Sequence, residues 1–182
     1  MQLAPAGYVY FYEDLRVGMV EEIMRTVMAD DVIGFAKLSG DNNPVHLSDH
    51  FAAQTAFRER IAHGLYTASL ISAVLGTRLP GPGAVYISQS LNFRAPVRIG
   101  DVVRARVEVV ELEDDKRRAR LHCECISPRH LPACVCTAGG CSFSLNREVL
   151  PARCHFGKSR QTQNVLEEMW MFGPLYTTDA AD

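Results

Sequence analysis

The sequence predicts an α+β fold in which an antiparallel sheet wraps one long apolar helix, and two observations indicate it. Residues 64–79, GLYTASLISAVLGTRL, carry no charge before Arg78 and have small or apolar side chains on every side. A helix of that composition is expected to be covered by protein all round. After the break at 80–83, PGPG, the apolar spacing changes from helical to alternating, which is typical of half-buried strands. A buried helix followed by a run of strands predicts this fold class.

The other elements follow from local signals. Residues 22–27 have strand-like spacing, and Asp30 and Asp31 begin a short amphipathic helix that the turn SGDNNP at 39–44 ends. A second short helical stretch is expected at about 48–57. Four strands are predicted behind the long helix, the last of them interrupted by Gly139 and Gly140 as if by a bulge: 85–95, 102–112, 118–126 and 133–145.

Length and composition indicate a globular protein with one principal domain. The chain has 182 residues, of which 47% are hydrophobic and 22% charged, and its formal net charge is -2. That charge gives no reason to expect nucleic acid or an anionic membrane as a partner. No apolar run reaches the roughly 18 residues of a membrane-spanning helix. The start of the chain, MQLAPAGYVYFYEDL, lacks the basic and apolar regions of an export signal, so a cytoplasmic location is expected.

The domain is expected to end at about residue 146. The polar stretch that follows shows no periodicity, so residues 147–182 are interpreted as a C-terminal extension of unknown role.

All 6 cysteines lie after residue 120. The spacing of Cys123 and Cys125 places both on one face of a strand, where cysteine packs as a small hydrophobe. Zinc knuckles use a C-x2-4-C spacing instead, so no metal site is predicted, and a disulfide or redox role stays open as an alternative.

One loop carries a carboxylate and an imidazole that could act together. Asp41 and His46 stand five residues apart, with Pro44 between them to stiffen the turn. Such a pair can hold a water molecule and move its proton, a contribution of about 10² to 10⁴ in rate. From residue chemistry alone the alternative remains that Asp41 bonds its own backbone in a turn and that His46 lies on the surface.

Gly64 is predicted to begin the long helix, directly after His63. The first amides of a helix lack an acceptor inside it and carry a partial positive charge. One such donor aimed at a developing oxyanion is often worth about 3 to 4 kcal/mol. The alternative is that Gly64 only allows the chain to pack closely.

Several segments, in order from about residue 12 to 146, resemble one family. The stretch FAKLSGDNNPVH at 35–46 with Ala52 behind it is similar to the hydratase-2 signature of the MaoC-like family. IAHGL at 61–65, LPGPG at 79–83 and QSLNFRAPVRIGD at 89–101 are similar to its short (R)-specific enoyl-CoA hydratases. The resemblance implies a hot-dog fold, a homodimer, and reversible hydration of trans-2-enoyl-CoA to (R)-3-hydroxyacyl-CoA without a metal or redox cofactor.

The resemblance also implies roles for single residues. Asp41 matches the family's base, His46 shares the proton transfer, and the Gly64 amide polarises the thioester carbonyl. Asn43 is expected to brace the loop. Ser72 and Leu75 are expected to line the acyl pocket. Arg94 or Arg98 is expected to meet the phosphates of coenzyme A.

Two other functional classes stay open. The same site could serve a dehydratase acting on 3-hydroxyacyl groups bound to acyl carrier protein, or on a branched dicarboxyl-CoA, although the predicted helix brings no cation into the pocket. A thioesterase is a weaker option because it would not require this loop. A non-catalytic acyl-thioester-binding subunit is also conceivable, but such a protein would tend to lose Asp41 or His46.

The chain departs from the family after about Cys125, where SPRHLP at 127–132 is unusual for a hairpin turn.

Overall fold

The computed structural model describes residues 10–127 in full and the backbone of residues 134–144. The predicted domain end at 146, the extension at 147–182 and most of the unusual stretch at 127–132 lie outside the described residues. The helices are α1 (Ala29–Ser39), α2 (Pro44–Leu47), α3 (Asp49–Ala53) and α4 (Gly64–Thr77). The strands are β1 (Val20–Thr26), β2 (Val85–Phe93), β3 (Val102–Glu113), β4 (Arg118–Ile126) and β5 (Cys134–Ser144).

The five strands form one antiparallel sheet in the order β1-β3-β4-β5-β2, so β1 and β2 lie at its edges. The register of β4 against β5 runs from Leu121 opposite Cys141 to Cys123 opposite Ala138. Two residues of β4 therefore face three of β5, which is the pattern of a bulge. The predicted interruption at Gly139 and Gly140 is confirmed.

The core lies between α4 and the central strands. The inward residues of β3 alternate along the strand and are fully buried, as the period of two requires. Cys123 and Cys125 on β4 are also fully buried, so for these two the predicted packing as small hydrophobes is confirmed. The buried face of α4 meets this surface with Ile71, Val74 and Leu75. The side chains of the other four cysteines are not among those described.

Two helix predictions need correction. The helix predicted at about 48–57 is α3, which is shorter and ends at Ala53. A separate helix that was not predicted, α2, precedes it from Pro44 to Leu47. The two are distinct because Ser48 between them has an extended backbone, and its Oγ accepts a hydrogen bond from the Phe51 amide at the start of α3. Helix α4 ends at Thr77 rather than Leu79, since Arg78 leaves helical geometry. Within the described part of the chain, no helix combines the length and hydropathy needed to cross a membrane.

The expectation that α4 is covered on every side is wrong for a single chain. The sheet lies against one face only, and Leu65 on the other face is 60% exposed. Four further exposed residues continue that face at helical spacing, and all of them are small: Ser69, Ser72, Ala73 and Gly76.

The segment before α4 is tied to the sheet by main-chain contacts. Ala62 donates its amide to the Val97 carbonyl at 2.7 Å, and Ile61 forms an isolated bridge with Arg98. A short distance on, the amide of Gly100 donates to Val27 at the end of β1, at 2.8 Å. The segment 61–64 is therefore held in place by the connection between β2 and β3.

Candidate active site

The loop between α1 and α2, the segment 61–64 and the end of β2 enclose one open cavity of about 630 Å³. Three residues singled out from the sequence for chemistry, Asp41, His46 and Gly64, line it together. Most of the remaining wall is apolar and includes Phe35, Phe57, Ile61, Leu65, Phe93 and Val97. The cavity thus offers a few polar groups at one place and an apolar surface around them, as small-molecule sites usually do.

The loop that carries Asp41 is ordered by short-range hydrogen bonds. Gly40 ends α1 with φ of 78°, a left-handed conformation that glycine adopts without strain. The Asp41 amide donates to Ser39 Oγ, and the Asn43 amide donates to Asp41 Oδ1, each at 3.2 Å. Asn43 in turn caps α2, where its Oδ1 accepts from the Val45 amide. Asp41 is exposed and lines the cavity.

His46 is buried, with 8% of its surface exposed, and its orientation is set by the main chain. Its Nδ1 lies 2.8 Å from the carbonyl oxygen of Ile61. Because a carbonyl can only accept, Nδ1 carries the hydrogen, and in the neutral ring Nε2 keeps its lone pair. His46 is therefore prepared to accept a proton through Nε2.

Asp41, His46 and His63 each contribute one polar side-chain atom to a cluster in which these atoms lie within 4.8 Å of one another. One water bridging two such atoms through hydrogen bonds of about 2.8 Å each fits this separation. The rings of His46 and His63 are stacked, with centroids 3.8 Å apart and planes tilted by 31°.

Gly64 is the first residue of α4, so its amide belongs to those that have no acceptor within the helix. Its Cα hydrogens face the ring of Phe93, since a Cβ at this position would come within 2.9 Å of Phe93 Cε1. The structure therefore brings Gly64, Asp41 and His46 to one cavity.

The remaining predicted residues are placed differently. Arg94 lines the cavity, whereas Arg98 forms an ion pair with Glu59. Ser72 lies on the exposed face of α4 and Leu75 in the core, and neither lines the cavity of this single chain, so their role in the acyl pocket stays a prediction.

Most of the other lining residues received no functional role from the sequence, among them His63, Phe57 and Phe93. For His63 the available signal was its position directly before the predicted helix. Nothing in the local pattern of Phe57 or Phe93 separates them from ordinary apolar residues.

Comparison with known proteins finds similar sequences and structures. A 3-hydroxybutyryl-CoA dehydratase of Methylorubrum extorquens is 64% identical over 123 residues, which are 68% of this chain and 78% of that protein. An (R)-specific enoyl-CoA hydratase of Rhodospirillum rubrum is 47% identical over 117 residues, 64% of this chain and 81% of that protein. The structure of the (R)-hydratase from A. caviae involved in PHA biosynthesis, a hot-dog protein, superposes with a TM-score of 0.70 at 41% identity, covering 74% of this chain and 99% of that one. The predicted hot-dog fold is confirmed. The model of the MaoC like domain matches residues 17–124, and the chain belongs to this family.

Proposed function

We propose that the protein adds water reversibly to the double bond of a trans-2-enoyl-CoA and forms the (R)-3-hydroxyacyl-CoA. The observation that carries this proposal is that Asp41, His46 and Gly64, the first residue of α4, line one cavity with mostly apolar walls. The relatives from Methylorubrum extorquens and Rhodospirillum rubrum are named for the two directions of such a reaction.

Each group has a distinct part in the proposed reaction. A water held between the Asp41 carboxylate and His46 Nε2 attacks C3 of the enoyl group while Asp41 accepts its proton. Negative charge moves to the thioester oxygen, where the Gly64 amide stabilises it. A proton then passes from the Asp41–His46 pair to C2, so that both elements of water are added and the pair regains its starting state. The two groups act on one water, so their contributions need not be separable.

The proposed substrate is a short acyl chain on coenzyme A. The Methylorubrum relative is named for 3-hydroxybutyryl-CoA, whose dehydration product is crotonyl-CoA. Arg94 is an exposed cation on the cavity wall and is proposed to meet a phosphate of coenzyme A.

We propose no metal or redox cofactor, and dialysis against a chelator should leave the rate unchanged. A cytoplasmic location stays a prediction from the sequence.

We also propose that a second copy of the chain covers the exposed face of α4 together with β2. Strand β2 lies at the sheet edge and none of its residues is buried. Tyr86 and Ile87 are adjacent in β2 and point to opposite faces, yet both are exposed. An edge with exposed apolar residues is a template for strand pairing, and a two-fold dimer would join two such edges into one sheet. The small residues of α4 would then let two helices approach.

The dimer is tested by measuring molar mass in solution for the wild type and for Ile87→Lys. A dimeric wild type and a monomeric, folded variant are expected. As a matched control, Val110→Lys replaces an exposed apolar residue on β3 and should stay dimeric. A monomeric wild type at micromolar concentration would contradict the proposed dimer.

The reaction is tested by following the loss of the enoyl-thioester absorbance of crotonyl-CoA. The product is then offered to (R)- and to (S)-specific 3-hydroxyacyl-CoA dehydrogenases, and oxidation by the (R)-specific enzyme alone is expected. Crotonyl-acyl carrier protein as a parallel substrate tests the alternative acceptor. Folded protein that binds crotonyl-CoA but turns over neither this nor longer enoyl-CoAs nor the carrier-bound form would favour a non-catalytic binding subunit.

A further inference from the structure

His63 contacts more parts of the candidate site than its place before α4 suggests. It is 2% exposed, and its Nε2 lies 2.9 Å from the main-chain carbonyl oxygen of Asp41. Its ring stacks on His46, and on the other side it meets the ring of Phe35, with centroids 5.1 Å apart. The next residue along the chain is Gly64, the proposed oxyanion donor.

The hydrogen bond from His63 to Asp41 is long-range, unlike the other hydrogen bonds of the Asp41 loop. The remaining hydrogen bonds described for residues 40–43 join residues no more than four positions apart. Such local bonds shape the turn but do not fix it relative to the cavity. The bond from His63 spans 22 positions and ties the Asp41 main chain to the start of α4.

The geometry also selects one form of the His63 ring. The Asp41 carbonyl can only accept, so Nε2 carries the hydrogen. Nδ1 is buried, and among the described residues it has no hydrogen-bond partner. The hydrogen bond to Asp41 therefore places a ring hydrogen of His63 on Nε2.

On the basis of the proposed function, we infer that His63 is a positioning residue for the reaction. By holding the Asp41 carbonyl and supporting the His46 ring, it keeps the carboxylate and the imidazole, whose polar atoms lie within 4.8 Å of each other, at a separation that one water bridges. It makes no contact with the reacting atoms in this role. Small misplacement of a reacting group costs up to about 10²-fold in rate, so the effect belongs in kcat rather than in substrate binding.

The matched pair His63→Gln and His63→Met separates this role from simple packing. The two side chains have the same length, but only glutamine carries an amide that can donate to the Asp41 carbonyl. With crotonyl-CoA we expect His63→Met to lose about 10- to 100-fold in kcat with KM changed less than about threefold. His63→Gln should recover most of that loss. Val74→Ala, a buried change on the same helix away from the cavity, controls for lowered stability.

Three results would overturn the inference while leaving the proposed function intact: equal kcat for the two variants, a loss confined to KM, or an equal loss of kcat in Val74→Ala at matched melting temperature. A second readout is independent of turnover. The ¹⁵N spectrum of the wild type should show His63 as the Nε2–H form, with its hydrogen protected from exchange. A Nδ1–H form would refute the hydrogen bond to Asp41, whether or not the wild type is active. Inactivity of the wild type on every thioester would instead count against the proposed function.

Discussion

The Nδ1 of His46 donates a hydrogen bond of 2.8 Å to the main-chain oxygen of Ile61, 15 residues away. Ile61 is itself fixed by its bridge to Arg98, and its neighbour Ala62 is bound to Val97. The acceptor that sets the His46 tautomer is therefore anchored to the sheet rather than to the helix α2 that carries His46. This arrangement allows the ring's orientation and its chemistry to be separated by mutation.

His46→Asn should keep the orientation and lose the chemistry. An asparagine amide can donate to the Ile61 carbonyl in place of Nδ1, but it has no counterpart of Nε2. We expect kcat for crotonyl-CoA hydration to fall by about 10² to 10⁴, with a melting temperature close to that of the wild type. His46→Ala should lose the same activity and also destabilise the fold by about 1–3 kcal/mol, because the buried carbonyl is left unpaired. An asparagine variant with more than a tenth of the wild-type kcat would contradict the assignment.

Asp41→Asn tests the proposed base. The asparagine keeps an oxygen that can accept from the Asn43 amide, so the loop should retain its shape. The charge and the proton-accepting group are lost, and we expect kcat to fall by about 10² to 10⁴. Asp49→Asn is the matched control, since Asp49 is an exposed carboxylate on α3 outside the cavity. Comparable kcat values for the two variants would show that Asp41 does not take part in the reaction.

Gly64→Ala should narrow the cavity without unfolding the protein. The new methyl group would come within 2.9 Å of the Phe93 ring, whose exposed position allows it to turn away. The displaced ring moves the cavity wall, so we expect KM to rise and kcat to fall. The combined effect should be a loss of about tenfold in kcat/KM, which corresponds to about 1.4 kcal/mol. Gly34→Ala is the control, because its methyl group meets nothing within 4 Å and should stabilise α1 slightly. Unchanged kinetics in Gly64→Ala would mean that Phe93 does not shape the substrate site.

The fold was predictable where one residue pattern determines one element. The alternation in β3 and β4 placed both strands within a residue or two of their observed bounds. The composition of α4 gave its helical state and its burial against the sheet. It could not show that one chain leaves a face uncovered, because an apolar or small residue looks the same whether its neighbour belongs to the same chain or to another.

Only the part of the site that consists of functional side chains could be predicted from the sequence. Asp41 and His46 are five residues apart in the sequence, so their proximity could be predicted, although the structure places His46 in α2 rather than in the loop. The groups that orient them are the carbonyl of Ile61 and, for Asp41, its own carbonyl bound by His63. Main-chain acceptors have no signature in a sequence, and contacts across 15 and 22 positions depend on the packing of the whole fold.

Arg94→Ala tests the proposed phosphate contact. Arg94 is exposed on the cavity wall, whereas the guanidinium of Arg98 is already paired with Glu59. Removing an exposed cation near a phosphate should raise KM for crotonyl-CoA by about three- to tenfold, which corresponds to no more than about 1.4 kcal/mol, and leave kcat nearly unchanged. Crotonyl-pantetheine lacks those phosphates, so its KM should not respond. Equal effects on both substrates would place Arg94 in contact with the acyl or pantetheine part instead of a phosphate.

The last prediction concerns stability at low pH and the first turn of α1. The pKa of Asp31 is held below its ordinary value of 3.8, mainly because its carboxylate accepts a hydrogen bond of 2.9 Å from the Met28 amide. Burial opposes this shift, and the Arg25 guanidinium at 3.0 Å adds to it. The unfolded chain therefore binds more protons, so the stabilisation is present above pH 3.8 and is lost as the pH falls through the lower pKa of the folded state.

Asp31→Ala should therefore cost about 0.5–2 kcal/mol at pH 7, the range found for lost helix caps, and the difference from the wild type should shrink as the pH is lowered below 3.8. Urea unfolding at a series of pH values measures both quantities. Asp30→Ala, an exposed change in the same turn, controls for the helix dipole alone. A cost that is the same at pH 7 and at the acid limit would show that the carboxylate's charge does not contribute, and that the loss arises from packing at the helix start.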